Sequence, residues 1–345
     1  MDILQVTPRY PPSVGGIQQH VRELSEHLAE LGHDVTVVTT GEPVPDGDSK
    51  LDPTVERVPA YTSYLLAPAV TAEVRRRDPD LVHAHGYHSL TAFFARLGIA
   101  DTPFVFTPHY LGRRGSLRRK LLLGSYQLIG QSIFSRADLV IAVSEWERRL
   151  IEEHFAVSPT VVPNGTAVER FSGAKSWKHD RPYVFCLGRL EEYKGIHHVV
   201  NALTFLDNDI DLLIAGTGPF KNEIRQIAAA NGVSDRVHFL GYVEDEKIPQ
   251  LYAGAIVHAT LSEFECYGLT VGESLAAGTP CVVRKATALE EWTNTEGCVG
   301  VSDTEPAAVA DAIECASTVT PTISGILSWA EMAAQISERY ESVVK

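Results

Sequence analysis

Two cations in the second half of the chain stand where a negatively charged group could bind. Arg189 lies in Gly188-Arg189-Leu190, directly after a short apolar segment, and Lys194 follows five residues later in front of another glycine. Cations at the end of a strand can stabilise the charge that develops on a departing pyrophosphate. Ordinary solvated side chains are the alternative. The residues themselves make Arg189 and Lys194 candidates for binding a phosphorylated ligand.

Two carboxylates follow in Glu263-Phe264-Glu265-Cys266-Tyr267-Gly268-Leu269-Thr270-Val271-Gly272-Glu273. If Gly268 opens a helix, Glu273 projects from an early turn and Glu265 lies in the preceding loop. An ionised carboxylate accepts hydrogen bonds from two hydroxyl groups at once, which suits a polyhydroxylated ligand. Glutamates are also favoured near helix N-termini by the helix dipole, so an ordinary surface position is the alternative.

Glycine pairs occur at two further strand-to-helix turns. Gly15 and Gly16 end the sequence Pro-Pro-Ser-Val-Gly-Gly, and Gly216 and Gly218 belong to Gly-Thr-Gly-Pro. Glycine lets backbone N–H groups approach a ligand closely at the start of a helix. The second turn is not a dinucleotide fingerprint, because Lys221 stands in place of the third glycine. Each pair alone is equally typical of a tight turn.

Metal-binding patterns are weak in this sequence. His83 and His85 project from the same face of a predicted strand, which could suggest zinc, but strand spacing alone is little evidence. The five cysteines are well separated, odd in number and without a C-x-x-C pair, so we predict reduced thiols and neither disulfides nor a zinc site. We predict no metal and no cofactor.

The elements that must position these residues alternate between apolar strands and helices. Strands that are apolar throughout and alternate with helices predict parallel sheets covered on both faces. Ser144 and Glu147 form a potential capping box after one of these strands. The polar stretch 171–182 interrupts the pattern. We therefore predict two α/β domains, residues 1–170 with a C-terminal helix 328–345 that packs back on them, and residues 171–327.

Charge narrows the classes of partner. The chain has 345 residues and a formal net charge of −14, so binding to nucleic acid through general electrostatics is not expected. Residues 1–170 carry a net charge of −3 and residues 171–345 carry −11. The first half nevertheless contains the basic runs Arg75–Arg77 and Arg113–Lys120. A solvated helix face explains such runs, as does contact with an anionic membrane surface.

No secretory signal opens the sequence, and no apolar run approaches the length of a membrane span. We therefore predict a cytoplasmic protein that could associate peripherally with the inner face of the cell membrane.

Taken in order, six motifs resemble the GT-B glycosyltransferases of the large retaining family 4 class. They are PPSVGG, TPH at 107–109, PNG at 163–165, GRL with YKG, GTG, and SEFECYGL with GES and AAGTP. The resemblance covers nearly the whole chain. It implies two Rossmann-like domains whose parallel sheets face a cleft, and transfer of a sugar from a nucleotide-diphosphate sugar to a glycan, glycolipid or lipid-linked oligosaccharide.

The resemblance also implies roles for the charged residues. Arg189 and Lys194 would hold the diphosphate and stabilise it as a leaving group in place of a metal ion. Glu273 would accept hydrogen bonds from the ribose, Glu265 would lie near the hydroxyls of the transferred sugar, and His109 would reach the sugar ring. The remaining residues implied to contact the donor are Gly15, Gly16, Gly216, Gly218, Val243, Gly268 and Leu269.

The sequence departs from the family pattern at two positions. Tyr110 follows His109 where the family often has aspartate, and Cys266 stands where it often has glycine. These changes bear on an acceptor-side carboxylate and on the sugar pocket. Two alternatives stay open: a non-hydrolysing nucleotide-sugar epimerase of the same architecture, and a non-catalytic sugar-binding module, which the charged residues above disfavour.

Overall fold

The computed structural model describes residues 1–42, 53–61, 66–112 and 117–344, without the side chains of residues 117–125. The chain forms two compact units. Unit 1 comprises Met1–Gly165 and Leu327–Lys345, and unit 2 comprises Thr166–Ile326. Each unit is built around one parallel sheet, as the alternation of strands and helices predicts.

Unit 1 contains a seven-stranded sheet in the order β3-β2-β1-β4-β5-β6-β7, and every pair of neighbours is parallel. The inner strands are fully buried because helices cover both faces. Its strands are β1 (Asp2–Thr7), β2 (Asp34–Thr40), β3 (Thr54–Val58), β4 (Leu81–His85), β5 (Phe104–Thr107), β6 (Leu139–Ala142) and β7 (Thr160–Val161). Its helices are α1 (Gly16–Glu30), α2 (Ala69–Arg77), α3 (Thr91–Gly98), α4 (Leu117–Phe134), α5 (Glu145–His154) and the C-terminal α12 (Trp329–Val343).

Unit 2 contains a six-stranded parallel sheet in the order β10-β9-β8-β11-β12-β13. Its strands are β8 (Tyr183–Leu187), β9 (Asp211–Ala215), β10 (Val237–Gly241), β11 (Val257–Thr260), β12 (Cys281–Arg284) and β13 (Cys298–Val301). Its α-helices are α6 (Val168–Phe171), α7 (Ile196–Ala202), α8 (Lys221–Ala230), α9 (Ile248–Gly254), α10 (Leu269–Ala276) and α11 (Pro306–Ser317). Short 3₁₀ helices span Glu192–Lys194, Ser234–Arg236, Asp245–Lys247 and Thr287–Asn294.

The two sheets share the same strand order over six strands, to which unit 1 adds β7, and this order determines where a ligand can bind. In each sheet the direction of strand progression reverses between two adjacent central strands: β1 and β4 in unit 1, and β8 and β11 in unit 2. The loops that leave such a pair at its carboxyl end diverge to opposite faces of the sheet, which opens a crevice there. The candidate residues of each unit belong to these loops or to neighbouring elements.

Candidate functional site

The loops that follow β8 and β9 in unit 2 are joined backbone to backbone. The Leu190 N–H donates to the Thr217 carbonyl at 2.9 Å, and the Gly188 N–H donates to Ala215 at 3.0 Å. A Cβ at Gly216 would lie 1.8 Å from the Gly188 carbonyl oxygen, and one at Gly218 would lie 2.3 Å from that of Leu190. Only glycine fits, because the neighbouring backbone occupies the space of a side chain. The Gly-Thr-Gly turn therefore supports the loop that carries Arg189.

Arg189 and Lys194 both lie beyond the carboxyl end of β8 but in different surroundings. The Arg189 side chain is 69% exposed, and its guanidinium donates to the Tyr193 hydroxyl at 2.7 Å. Lys194 ends the 3₁₀ helix Glu192–Lys194 and is about one-fifth exposed. Its Nζ donates to Glu265 Oε1 at 2.6 Å. The structure thus joins two residues for which the resemblance implies separate ligand contacts, because β8 and β11 are adjacent strands.

Thr287 holds the backbone at Glu265, and sequence reasoning missed this residue. The Glu265 N–H donates to Thr287 Oγ1 at 3.1 Å. Thr287 has φ of 54°, which is rare for a β-branched residue and costs backbone energy. Strain of this kind persists where surrounding structure imposes it, often at functional sites. A lone threonine after β12 belongs to no recognisable motif, so the sequence offered no signal.

The residues around α10 occupy the positions that the sequence predicted. Gly268 precedes the helix with φ of 98°, and a Cβ there would lie 2.8 Å from Leu289, so the turn requires glycine. Leu269 begins the helix and is half-buried. Glu273 lies in its second turn and is 9% exposed. The Tyr252 hydroxyl donates to its carboxylate at 3.3 Å.

Burial, and then the carboxylate of Glu273, raises the pKa of Tyr252 well above its usual range. The tyrosine therefore stays protonated and keeps donating to this carboxylate. Val243, the last candidate in unit 2, is half-buried after β10 and packs with Leu240 against the apolar face that contains Tyr252. Unit 2 thus combines the exposed Arg189, which lies 3.8 Å from Glu191, with a cation paired with Glu265 and a mostly buried carboxylate.

In unit 1, the glycine pair leads into α1, which begins at Gly16. Gly15 has an extended backbone, and a Cβ there would lie 2.6 Å from Gln18 Oε1, the end of a flexible side chain. His109 follows β5 with φ of 47° and is 8% exposed. A positive φ in a buried non-glycine residue marks it as a position that its surroundings hold under strain.

His109 belongs to a buried group of three histidines from three different elements. His20 comes from α1, His85 ends β4, and His109 follows β5. One ring nitrogen of each lies within 4.8 Å of one from each of the others. Among the described residues, the buried atoms His20 Nε2, His85 Nδ1 and His109 Nε2 have no hydrogen-bond partner. The sequence did not indicate this group, because its members are distant in the chain.

The pair His83 and His85 does not act as one chelating unit. Both ring nitrogens of His83 are hydrogen-bonded, Nδ1 with the Tyr340 hydroxyl at 2.6 Å and Nε2 with Thr107 Oγ1 at 2.8 Å. His83 is therefore a core residue that ties α12 to the sheet. His85 alone turns a ring nitrogen towards the other histidines.

The basic run Arg75–Arg77 is largely paired within unit 1. Arg76 pairs with Glu73 at 2.7 Å, Arg77 pairs with Glu56, and Arg75 donates to the Leu97 carbonyl at 3.0 Å. In the second run, Arg113 and Arg114 lie outside the described residues, as do the side chains of Arg118, Arg119 and Lys120. Within the described part of the chain, no helix combines the length and the apolar character that crossing a membrane requires.

Comparison with known families assigns a sequence profile to each half of the chain. Residues 14–170 match the family described as Glycosyltransferase Family 4. Residues 168–318 match the family described as Glycosyl transferases group 1. The two profiles overlap at residues 168–170 and together span most of both units.

Two relatives are similar over most of their length. An uncharacterized glycosyltransferase of Methanocaldococcus jannaschii is 28% identical over 324 residues, covering 84% of this chain and 82% of the relative. A phosphatidyl-myo-inositol mannosyltransferase of Mycobacterium leprae is 28% identical over 318 residues, covering 87% and 83%. Among solved structures, Anabaena HepE in complex with UDP superimposes with a TM-score of 0.81 at 21% identity, covering 99% of this chain and 100% of that one. This structural likeness supports the fold.

Proposed function

Because the chain belongs to the GT-B glycosyltransferases of family 4, we propose that it uses a nucleotide-diphosphate sugar as donor and retains the anomeric configuration. The proposed acceptor is a glycan, a glycolipid or a lipid-linked oligosaccharide. No metal ion is proposed at the diphosphate, since cationic side chains supply the charge there. The mannosyltransferase relative, named for a phosphatidylinositol, supports a lipid-linked acceptor, and the HepE complex with UDP supports a nucleotide donor.

The ion pair of Lys194 and Glu265 carries this proposal. It places a cation and a carboxylate 2.6 Å apart at the end of the loop that carries the exposed Arg189, where the strand order opens a crevice. A nucleotide sugar presents an anion and a ring of hydroxyl groups side by side. Lys194 and Arg189 would bind the diphosphate, and Glu265 would accept hydrogen bonds from sugar hydroxyls.

In the proposed reaction, the bond between the anomeric carbon and the diphosphate oxygen breaks as the acceptor oxygen approaches from the same face. The departing phosphate oxygen takes the proton of the acceptor hydroxyl, so no protein carboxylate has to act as nucleophile. Negative charge grows on the diphosphate as the bond lengthens. Preorganised cations that meet this charge lower the barrier, since they need no reorganisation during the step.

The proposed contacts with the rest of the donor are those that the resemblance to family 4 implies. Glu273 would accept from the ribose hydroxyls, and the N–H groups of Gly268 and Leu269 would face the sugar and phosphate at the start of α10. Gly216, Gly218 and Val243 would border the base.

A thermal-shift screen against UDP, GDP, ADP and dTDP tests donor binding directly. A ligand that binds only the folded protein raises its stability by about 2.7 kcal/mol at a hundredfold excess over Kd. We expect one diphosphate to raise the melting temperature more than its own monophosphate does, because Arg189 and Lys194 would contact the second phosphate. Equal shifts with both, or none with any diphosphate, would contradict the proposal.

We also propose that the run Arg113–Lys120 brings the protein to anionic membranes, where a lipid-linked acceptor would lie. Basic side chains near a surface each contribute about 1 kcal/mol to binding anionic lipid. Co-sedimentation with anionic vesicles should recover the wild type but little of the triple variant Arg118→Glu, Arg119→Glu, Lys120→Glu.

A control variant with the same change in charge, Lys175→Glu, Lys178→Glu, Lys247→Glu, should sediment like the wild type. Equal recovery of all three proteins, or equal loss in both variants, would count against a membrane-binding role for this run.

A further inference from the structure

We propose that unit 1 holds one divalent transition-metal ion, with Zn²⁺ the best match, coordinated by His20, His85 and His109. The structure brings these three buried imidazoles together from α1, β4 and the loop after β5. One nitrogen from each lies within 4.8 Å of the others. The inference departs from the expectation of no metal, which considered the strand pair His83 and His85.

Three buried ring nitrogens without hydrogen-bond partners support a bound metal ion. His20 Nε2, His85 Nδ1 and His109 Nε2 are buried and have no hydrogen-bond partner among the described residues. A buried polar atom without a partner is unfavourable, and here three such atoms belong to one group of adjacent rings. A metal ion shared among them would satisfy all three at once.

The protons on two of the rings are placed to leave lone pairs for a metal. His20 Nδ1 lies 2.8 Å from Asn164 Oδ1, and His85 Nε2 lies 2.7 Å from Gln5 Oε1. An amide oxygen can only accept, so each of these nitrogens carries the proton, and the opposite nitrogen of a neutral ring has a lone pair. Metal-bound histidines are commonly oriented by such a bond from their other nitrogen.

The three rings are also suitably spaced for one shared ion. The ring centroids lie 4.9 Å apart for His20 and His109, 5.4 Å for His20 and His85, and 6.1 Å for His85 and His109. Three imidazoles on one tetrahedral Zn²⁺ have centroids roughly 5 Å apart, given Zn–N bonds of about 2.0–2.1 Å.

A second group of potential metal ligands, in unit 2, differs because its facing nitrogens already have hydrogen-bond partners. His179 and His238 both point at Asp211 Oδ2, at 2.8 and 3.0 Å, and Arg181 pairs with the other oxygen of that carboxylate at 2.9 Å. The nitrogens that face this group are already satisfied, so an ion network explains it. It supplies a matched control for the test.

Metal binding by the chelator-stripped, desalted full-length protein tests the proposal without any assay of transfer. After equilibrium dialysis against Zn²⁺, elemental analysis should find one tightly bound equivalent in the wild type and in His238→Gln. We expect binding at least about tenfold weaker in His85→Gln and in His20→Gln, because each loses one of three ligands. Circular dichroism would show whether each variant is folded.

Co²⁺ added to the wild type gives a readout that depends on no variant. We expect one equivalent to produce the intense visible absorption of a tetrahedral site, and Zn²⁺ to displace it. Three results would overturn the proposal: no stoichiometric Zn²⁺ or Co²⁺ in the wild type, full binding in a folded His85→Gln or His20→Gln, or loss of binding in His238→Gln, which would place the ion at Asp211.

Discussion

The two units use the same strand order for opposite kinds of site. At the carboxyl ends of β8 and β11, unit 2 presents part-exposed charges: Arg189, and Lys194 paired with Glu265. At the ends of β4 and β5, unit 1 presents buried neutral imidazoles, including His85 and His109. The topology therefore fixes where side chains converge, and their type and burial decide whether the site suits an anion or a metal ion.

Removing the cations of unit 2 should produce the largest effect. Arg189→Ala and Lys194→Ala should each reduce turnover by about 30- to 1000-fold, or about 2–4 kcal/mol of barrier, if each acts as one preorganised electrostatic group. Steady-state kinetics with the donor found in the thermal-shift screen would measure this. Lys175→Ala, an exposed lysine of the same unit, should stay near the wild-type rate. Near-normal turnover in both cation variants would remove the diphosphate assignment.

Neutralising the buried carboxylate of unit 2 should have a smaller effect, on binding. Glu273→Gln should weaken nucleoside diphosphate binding about ten- to hundredfold, because hydrogen bonds to charged groups contribute about 1.5–3 kcal/mol. Calorimetric titration would measure Kd, with the exposed Glu314→Gln as control. An unchanged Kd in Glu273→Gln would separate this residue from the nucleotide and leave it a structural partner of Tyr252.

Removing the buried hydrogen bonds that join α12 to the sheet of unit 1 should lower the stability of the fold. The Tyr340 hydroxyl is hydrogen-bonded to His83 Nδ1 and accepts from Gln5 Nε2 at 3.3 Å, all in the buried core. Tyr340→Phe leaves both partners unsatisfied and should lower the free energy of unfolding by about 1–3 kcal/mol. Denaturant titration would measure it. Tyr242→Phe, at a 66% exposed residue, should change little, and equal effects of the two substitutions would refute the explanation.

In unit 2, the buried His258 lies outside any group of histidines, unlike the three buried histidines of unit 1. Burial lowers the pKa of His258 to about 4, and its hydrogen bond to the Phe185 carbonyl opposes the shift. Between about pH 4 and 6.5 the unfolded chain binds a proton here that the folded protein does not. Stability should therefore fall as the pH falls through this window, by up to about 1.4 kcal/mol per pH unit from this group.

His258→Gln should make the acid-induced loss of stability shallower by about 1 kcal/mol per pH unit in denaturant titrations at several pH values. His238→Gln serves as the control, because the His238 side chain is 39% exposed. The same acid slope in wild type and His258→Gln would mean that His258 is not held neutral.

The sequence predicted the central strands and the α/β class well, because strands buried on both faces are apolar along their length. The edge strands β3 and β13 do not follow this pattern: β3 reads Thr-Val-Glu-Arg-Val and is only partly buried. The capping box at α5 was half correct. Ser144 Oγ accepts from the Glu147 N–H, but the Glu147 carboxylate accepts from Val143 and Tyr110 instead.

The candidate site was predictable where short motifs carry it and not where distant residues converge. Motifs identified Arg189, Lys194, Glu265 and Glu273 but gave no sign that Lys194 pairs with Glu265, which depends on adjacent strands. Thr287 and the histidine group likewise arise from tertiary contacts alone. Spacing in the sequence pointed to His83 and His85, yet the fold gives these neighbours different partners.

Proton NMR of a reaction mixture tests directly whether the protein is a retaining glycosyltransferase. With the donor identified, we predict that adding the acceptor releases nucleoside diphosphate and forms a product whose anomeric proton shows the configuration of the donor. Without acceptor, the nucleotide sugar should persist apart from slow hydrolysis. Conversion of the donor into an epimeric nucleotide sugar without acceptor, or a product of inverted configuration, would contradict the account.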